Sequence, residues 1–99
     1  MPIQQVPLRF IQTGFGNGVC ANQILAVLVP DSAPNKRLLT QARKDQRFLD
    51  MTCGRGVRSM LLMLDGQVVG CAMSPRTMLL RLNAPDYDEA ATETTKEGT

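Results

Sequence analysis

The sequence predicts a small α+β single domain with the element order β-β-α-β-β-β-α. Three observations carry this expectation. With 99 residues, 43% hydrophobic and 20% charged, the chain has enough apolar material for one core and too little for two. Short apolar runs rich in β-branched residues recur between turn signals. Two segments, Ser32-Ala33-Pro34 and Ser74-Pro75, have the cap-then-proline order that opens helices.

Leu8 to Thr13 reads as the first strand and Gln23 to Val29 as the second. Between them stands Gly14-Phe15-Gly16-Asn17-Gly18. A nucleotide loop is rejected because the third glycine falls one place too early and a strand follows instead of a helix. The glycines predict a tight turn or bulge. The first helix is expected from Ser32, with Ser32 or Asp31 as cap, to about Arg47. Projected at about 100° per residue, Leu38, Leu39 and Ala42 face inward, while Lys36, Arg37, Arg43, Lys44 and Arg47 take the other side. Phe48 to Met51 reads as a short strand and Thr52 to Arg58 as a loop projecting Arg55 from between two glycines.

Arg58 to Leu64 and Gln67 to Met73 form the clearest hairpin, joined by Asp65-Gly66, a dipeptide suited to a type I′ turn. Met60 to Leu64 is continuously apolar, so this strand needs cover on both faces, expected from a helix on one and a neighbouring subunit on the other. The last helix runs from Ser74 or Pro75 to about Leu82, with Met78, Leu79 and Leu82 inward. A core of this size without disulfides or metal also predicts oligomerisation.

Charge divides the chain. Residues 1–83, read as the folded domain, hold ten Lys and Arg against four Asp; residues 84–99 hold one Lys against five acids. The basic body points to an anionic partner, nucleic acid first. The acidic end cannot bury enough apolar surface to order itself and is expected to be disordered. It serves either solubility or as a flap that weakens non-specific DNA binding. A charged helix face is ordinarily just a solvated one, but Asp45 is the only acid of the first helix, so its cations lack neutralising i,i+4 partners.

Catalytic chemistry finds little to build on. The absence of histidine removes imidazole bases and Cys/His zinc sites. The four acids of the body fall in turns or on the solvent face, and no pair shares a face suited to acid/base work. No cofactor or small-molecule site is legible, and the chain reads as non-enzymatic. The three cysteines lack any C-x-x-C pair and read as small buried hydrophobes of a reducing compartment. Cys53 has a sharper alternative as a reactive thiol beside Arg55 and Arg58. No apolar run reaches the roughly 20 residues of a membrane helix and Met1 to Arg9 lacks the order of a secretory signal, which predicts a soluble cytoplasmic protein. The cations suit duplex DNA; the few aromatics, one tyrosine and three phenylalanines, make single-strand stacking less apt.

Gly14-Phe15-Gly16-Asn17 with Ala21-Asn22, Ser32-Ala33-Pro34 with Lys36-Arg37, Gly54-Arg55 with Arg58, and Ser74-Pro75 together resemble the RemA family of small bacterial regulators, the extracellular matrix regulatory proteins. The resemblance covers about Phe10 to Leu82. It implies a transcriptional regulator that assembles into ring-shaped homo-oligomers and engages duplex DNA through arginines, with biofilm matrix genes among its targets. By the same resemblance Arg55 and Arg58 match the ends of a Gly-Arg-Arg-x-Arg segment, and Lys36 and Arg37 the start of the family's helix. With Arg43, these are the candidate DNA contacts. Gln23 and Gly56 stand where the family carries arginine, which leaves open a ring of the same fold that has lost specific DNA binding.

Overall fold

The computed structural model describes residues 8–84, so the acidic segment from Pro85 onward, with the expectations placed on it, lies outside the described residues. The sheet is organised around the hairpin of β5 (Ser59–Met63) and β6 (Val68–Cys71). Its turn differs from the type I′ expected. Gly66 has φ 92° but Asp65 is not in the left-handed region, and Met63 and Gln67 close the loop, Met63 N–H donating to the Gln67 carbonyl (2.9 Å). This is a three-residue connection ending on a left-handed glycine.

β3 (Ile24–Leu28) pairs antiparallel with β5, and β4 (Phe48–Asp50) pairs parallel with β6, giving the order β3-β5-β6-β4. The apolar run of β5 resolves by alternation. Met60 and Leu62 face the cluster around Ala42, with Leu38 and Leu39 of α1 (Ala33–Lys44). Leu61 and Met63 face a second cluster with Ile11, Val19 and Met78. This second face was expected to meet a neighbouring subunit; the chain covers it itself, with the β1–β2 hairpin and α2 (Pro75–Leu82).

β1 (Phe10–Gly14) and β2 (Asn17–Cys20) form a separate antiparallel pair. β2 was not expected: Asn17-Gly18-Val19-Cys20 has one β-branched residue, and only its pairing with β1 makes it a strand. A single 3₁₀ turn, Ala21–Gln23, leads into β3. The observed order is therefore one strand longer than predicted.

Helix ends show two further corrections. α1 stops at Lys44, short of Arg47. Gln46 adopts φ 59°, and the N–H groups of Gln46 and Arg47 donate to the carbonyls of Arg43 (3.2 Å) and Ala42 (2.8 Å), a Schellman closure. Neither Ser32 nor Asp31 caps α1 through its side chain, whereas Ser74 Oγ accepts from Thr77 N–H (3.2 Å) at the start of α2. On α2, Met78 is buried and Leu82 half-buried, but Leu79 is exposed; the stripe follows i, i+4 and leaves residue 79 off it.

A candidate nucleic-acid interface

Strand register fixes which loops meet. Leu28 pairs with Met60, Ser59 with Cys71, and Asp50 with Gly70. The C-terminal ends of β3, β4 and β6 and the N-terminal end of β5 therefore share one end of the sheet. From that end spring the entries to both helices and the loop joining β4 to β5. Helix N-termini present unpaired N–H groups and positive potential, so this end is electropositive before any side chain is counted.

The β4–β5 loop is held at several points. Thr52 is buried, its N–H donating to Asp50 Oδ1 (2.8 Å), and Arg55 N–H donates to the Thr52 carbonyl (3.0 Å). Hydrogen bonding from the Thr52 side chain, and then from its N–H, lowers the Asp50 pKa, with the Arg43 charge assisting. Val57 packs into the Ala42 cluster, and Arg58 N–H donates to the Cys71 carbonyl (2.8 Å). Arg55 and Arg58 are thus exposed on either side of a half-buried anchor, Val57. Arg58 lines a shallow cavity of about 280 Å³ with Asp31, Val57, Ser74 and Pro75, between the starts of α1 and α2. The guanidinium of Arg55 lies 4.5 Å from the centre of the Phe15 ring in the β1–β2 turn.

The sequence-derived candidates separate into two groups. Arg55, Arg58 and, on the first turns of α1, Lys36 and Arg37 occupy this end of the sheet, joined by Arg76 at the second residue of α2. Arg43 does not join them: it lies seven residues, about 10 Å of helix, beyond Lys36, with its guanidinium 4.9 Å from the Phe48 ring centre. Arg47 leaves the helix face altogether, donating to the Gly66 carbonyl and pairing with Asp45 (3.3 Å). Arg9 and Arg81 are likewise engaged with backbone carbonyls. Position 23 stands at the opposite end, where the Gln23 carbonyl accepts from Leu64 N–H (2.7 Å). Gly56 has φ 89° with open space around it.

Sequence reasoning missed Phe15; the signal available was an aromatic residue between glycines. The three cysteines, read as small buried hydrophobes, occupy three different environments. Cys71 alone is fully buried, and burial pushes its thiol up to about 11 against the opposing influence of the Ser59 hydroxyl. Cys53 is exposed at φ 53°. A second, largely apolar groove of about 350 Å³ lies at the other end, lined by Val19, Gln23, Leu49, Met51 and Met63 among others. Among the described residues there is no group of three or more potential metal ligands, and no helix is long and apolar enough to cross a membrane.

Fold and site together define a small α+β domain that presents cations from the end of a mixed sheet. Residues 10–82 match the RemA-like family, described as extracellular matrix regulatory protein A-like, and the chain belongs to that family. A protein of Carboxydothermus hydrogenoformans is 39% identical over 82 residues, covering 83% of this chain and 94% of the relative. Relatives from Bacillus cytotoxicus and Bacillus mycoides are each 43% identical over 76 residues, covering 77% of this chain and 87% of theirs. All three carry the description "putative regulatory protein", which gives a regulatory role and names no reaction.

Proposed function

We propose that this protein is a DNA-binding transcriptional regulator that works as a ring-shaped homo-oligomer, with genes of the extracellular matrix among its targets. One observation carries the DNA reading: Lys36, Arg37, Arg55, Arg58 and Arg76 have no hydrogen-bond or ion-pair acceptor among the described residues and share the end of the sheet where both helices begin. Phosphates are the partner that such a surface recruits, through counterion release and contacts to helix N-termini. Assembly is supported by apolar side chains left in solvent, among them Leu25 at 62%, Leu80 at 62% and Leu64 at 57% exposure, which the chain's own core does not use. In a ring, weak single contacts repeat and gain avidity.

The test is affinity for promoter fragments from the protein's own genome and for random duplex across a salt series. The expected result is salt-sensitive binding, each phosphate neutralised adding about 0.9 to the log–log slope, with preference for some fragments and an oligomer mass unchanged by Arg55→Ala. A second reading, a ring of the same fold that serves another partner, is favoured by the left-handed Gly56, which stands at the cationic end in place of an arginine. Absence of binding at low salt would establish that alternative.

A further inference from the structure

Phe15 is an aromatic residue in a place that nothing in the core explains. It is 47% exposed and contributes to neither apolar cluster. Its φ of 58° falls between Gly14 at 103° and Gly16 at 82°, so three successive residues lie in a region that a side chain disfavours. A bulky residue held there points to a use. Its ring meets the guanidinium of Arg55, 40 residues further on, at 4.5 Å. That loop is also wound through left-handed residues, Cys53 at 53°, Gly54 at 82° and Gly56 at 89°.

We infer that Phe15 is a positioning residue for Arg55, setting the plane of its guanidinium so that the N–H edge is presented to a phosphate of the DNA backbone. This rests on the DNA-binding reading above. A guanidinium stacked by its face keeps all five N–H donors free in its plane, and those of Arg55 have no acceptor among the described residues. An unstacked arginine must give up rotamer freedom to make a bidentate contact; a stacked one has already lost it. Phe15 need not touch DNA to raise its affinity.

The experiment is a double-mutant cycle on the full chain, reading duplex affinity, oligomer mass and thermal midpoint. Phe15→Leu is expected to weaken binding about two- to fivefold per contact, the worth of an exposed cation–π pair, with mass and midpoint kept. Phe15→Tyr is expected to restore it, and in an Arg55→Ala background Phe15→Leu should change nothing further. An equal loss in both backgrounds, or no loss in either, would overturn the role of Phe15 while leaving DNA binding intact. Phe15→Gly guards against a folding effect, because glycine accepts this backbone: the expected result is weaker binding at an unlowered midpoint, and a lowered midpoint would overturn the assignment. The Arg55 side-chain proton shifts tell the two failures apart. They should move upfield under the ring in the parent protein and return in Phe15→Leu. Their absence from the parent overturns the stacking itself, whereas their presence in a protein that binds no DNA at low salt overturns the regulator reading, and with it the use of the stack.

Discussion

The two ends of the sheet use the same residue types to opposite purposes. Where the helices finish, arginines serve the chain: Arg9 donates to the carbonyls of Arg81 (2.9 Å), Leu82 (3.1 Å) and Ala84 (3.3 Å), and Arg47 closes on Gly66 and Asp45. Where the helices begin, Arg55, Arg58 and Arg76 find no such acceptor among the described residues. The cause is the direction of the peptide dipole, since helix C-termini expose carbonyls and N-termini expose N–H groups. A count of cations therefore overstates a binding surface. The ten Lys and Arg of residues 1–83 divide by position: Arg9, Arg47 and Arg81 are engaged with the chain's own carbonyls, while the cluster at the N-terminal end of the helices has no acceptor among the described residues.

The sharpest way to break this comparison is to exchange its readouts. Arg55→Ala with Arg58→Ala should lower duplex affinity by about 100-fold, roughly 3 kcal/mol, and leave the denaturant midpoint where it was. Arg9→Ala should do the reverse, lowering unfolding free energy by about 2 kcal/mol through three lost charge-assisted bonds, with affinity unchanged below the transition. If both substitutions moved both quantities, the division between the ends would fail. Alkaline titration tests the ground beneath the cationic end. Cys71 ionises near 9.0 when unfolded and about 11 when folded, so its stability contribution is whole below pH 9 and shrinks as pH rises toward 11, by about 2 kcal/mol. Urea midpoints across that window should fall in the parent protein and fall less in Cys71→Ala. The smallest effect is expected of Gln23→Arg, which puts charge at the wrong end of the sheet and should alter the affinity of a subunit less than twofold. Gly56→Arg lies at the right end but carries a left-handed backbone, and should lower stability by about 1 kcal/mol.

Much of this division was legible in the sequence, and its gaps have physical causes. Both helices, the central hairpin and the inward stripe of α1 follow from local chemistry, because periodicity and caps act within a few residues. β2 escaped since a strand of Asn-Gly-Val-Cys exists only through its neighbour. Arg55 and Arg58 were identified beside their glycines, but Arg43 and Arg47 were grouped with Lys36 and Arg37 on a helical projection that ignores what each side chain meets. Phe48 and the Schellman closure at Gln46 decide those two positions, and both depend on tertiary placement. Phe15 illustrates the limit best. Its partner lies in another loop, and no local pattern joins the two.

Parallel pairing of β4 with β6 sets the sequence of assembly. The partner of β4 is separated from it by the whole of β5 and its hairpin turn, and the partner of β3 lies beyond α1 and β4. Only β1–β2 and β5–β6 can form from near neighbours, on the microsecond scale of hairpins. Both edge strands must then wait for the centre, a topology of long-range closures that slows folding. During synthesis the ribosome releases β3, α1 and β4 before the strands that complete them, so the sheet closes only once Cys71 has emerged. Until that moment the nascent chain carries two unpaired strand edges and an uncovered apolar helix, and this interval is when it is most exposed to aggregation.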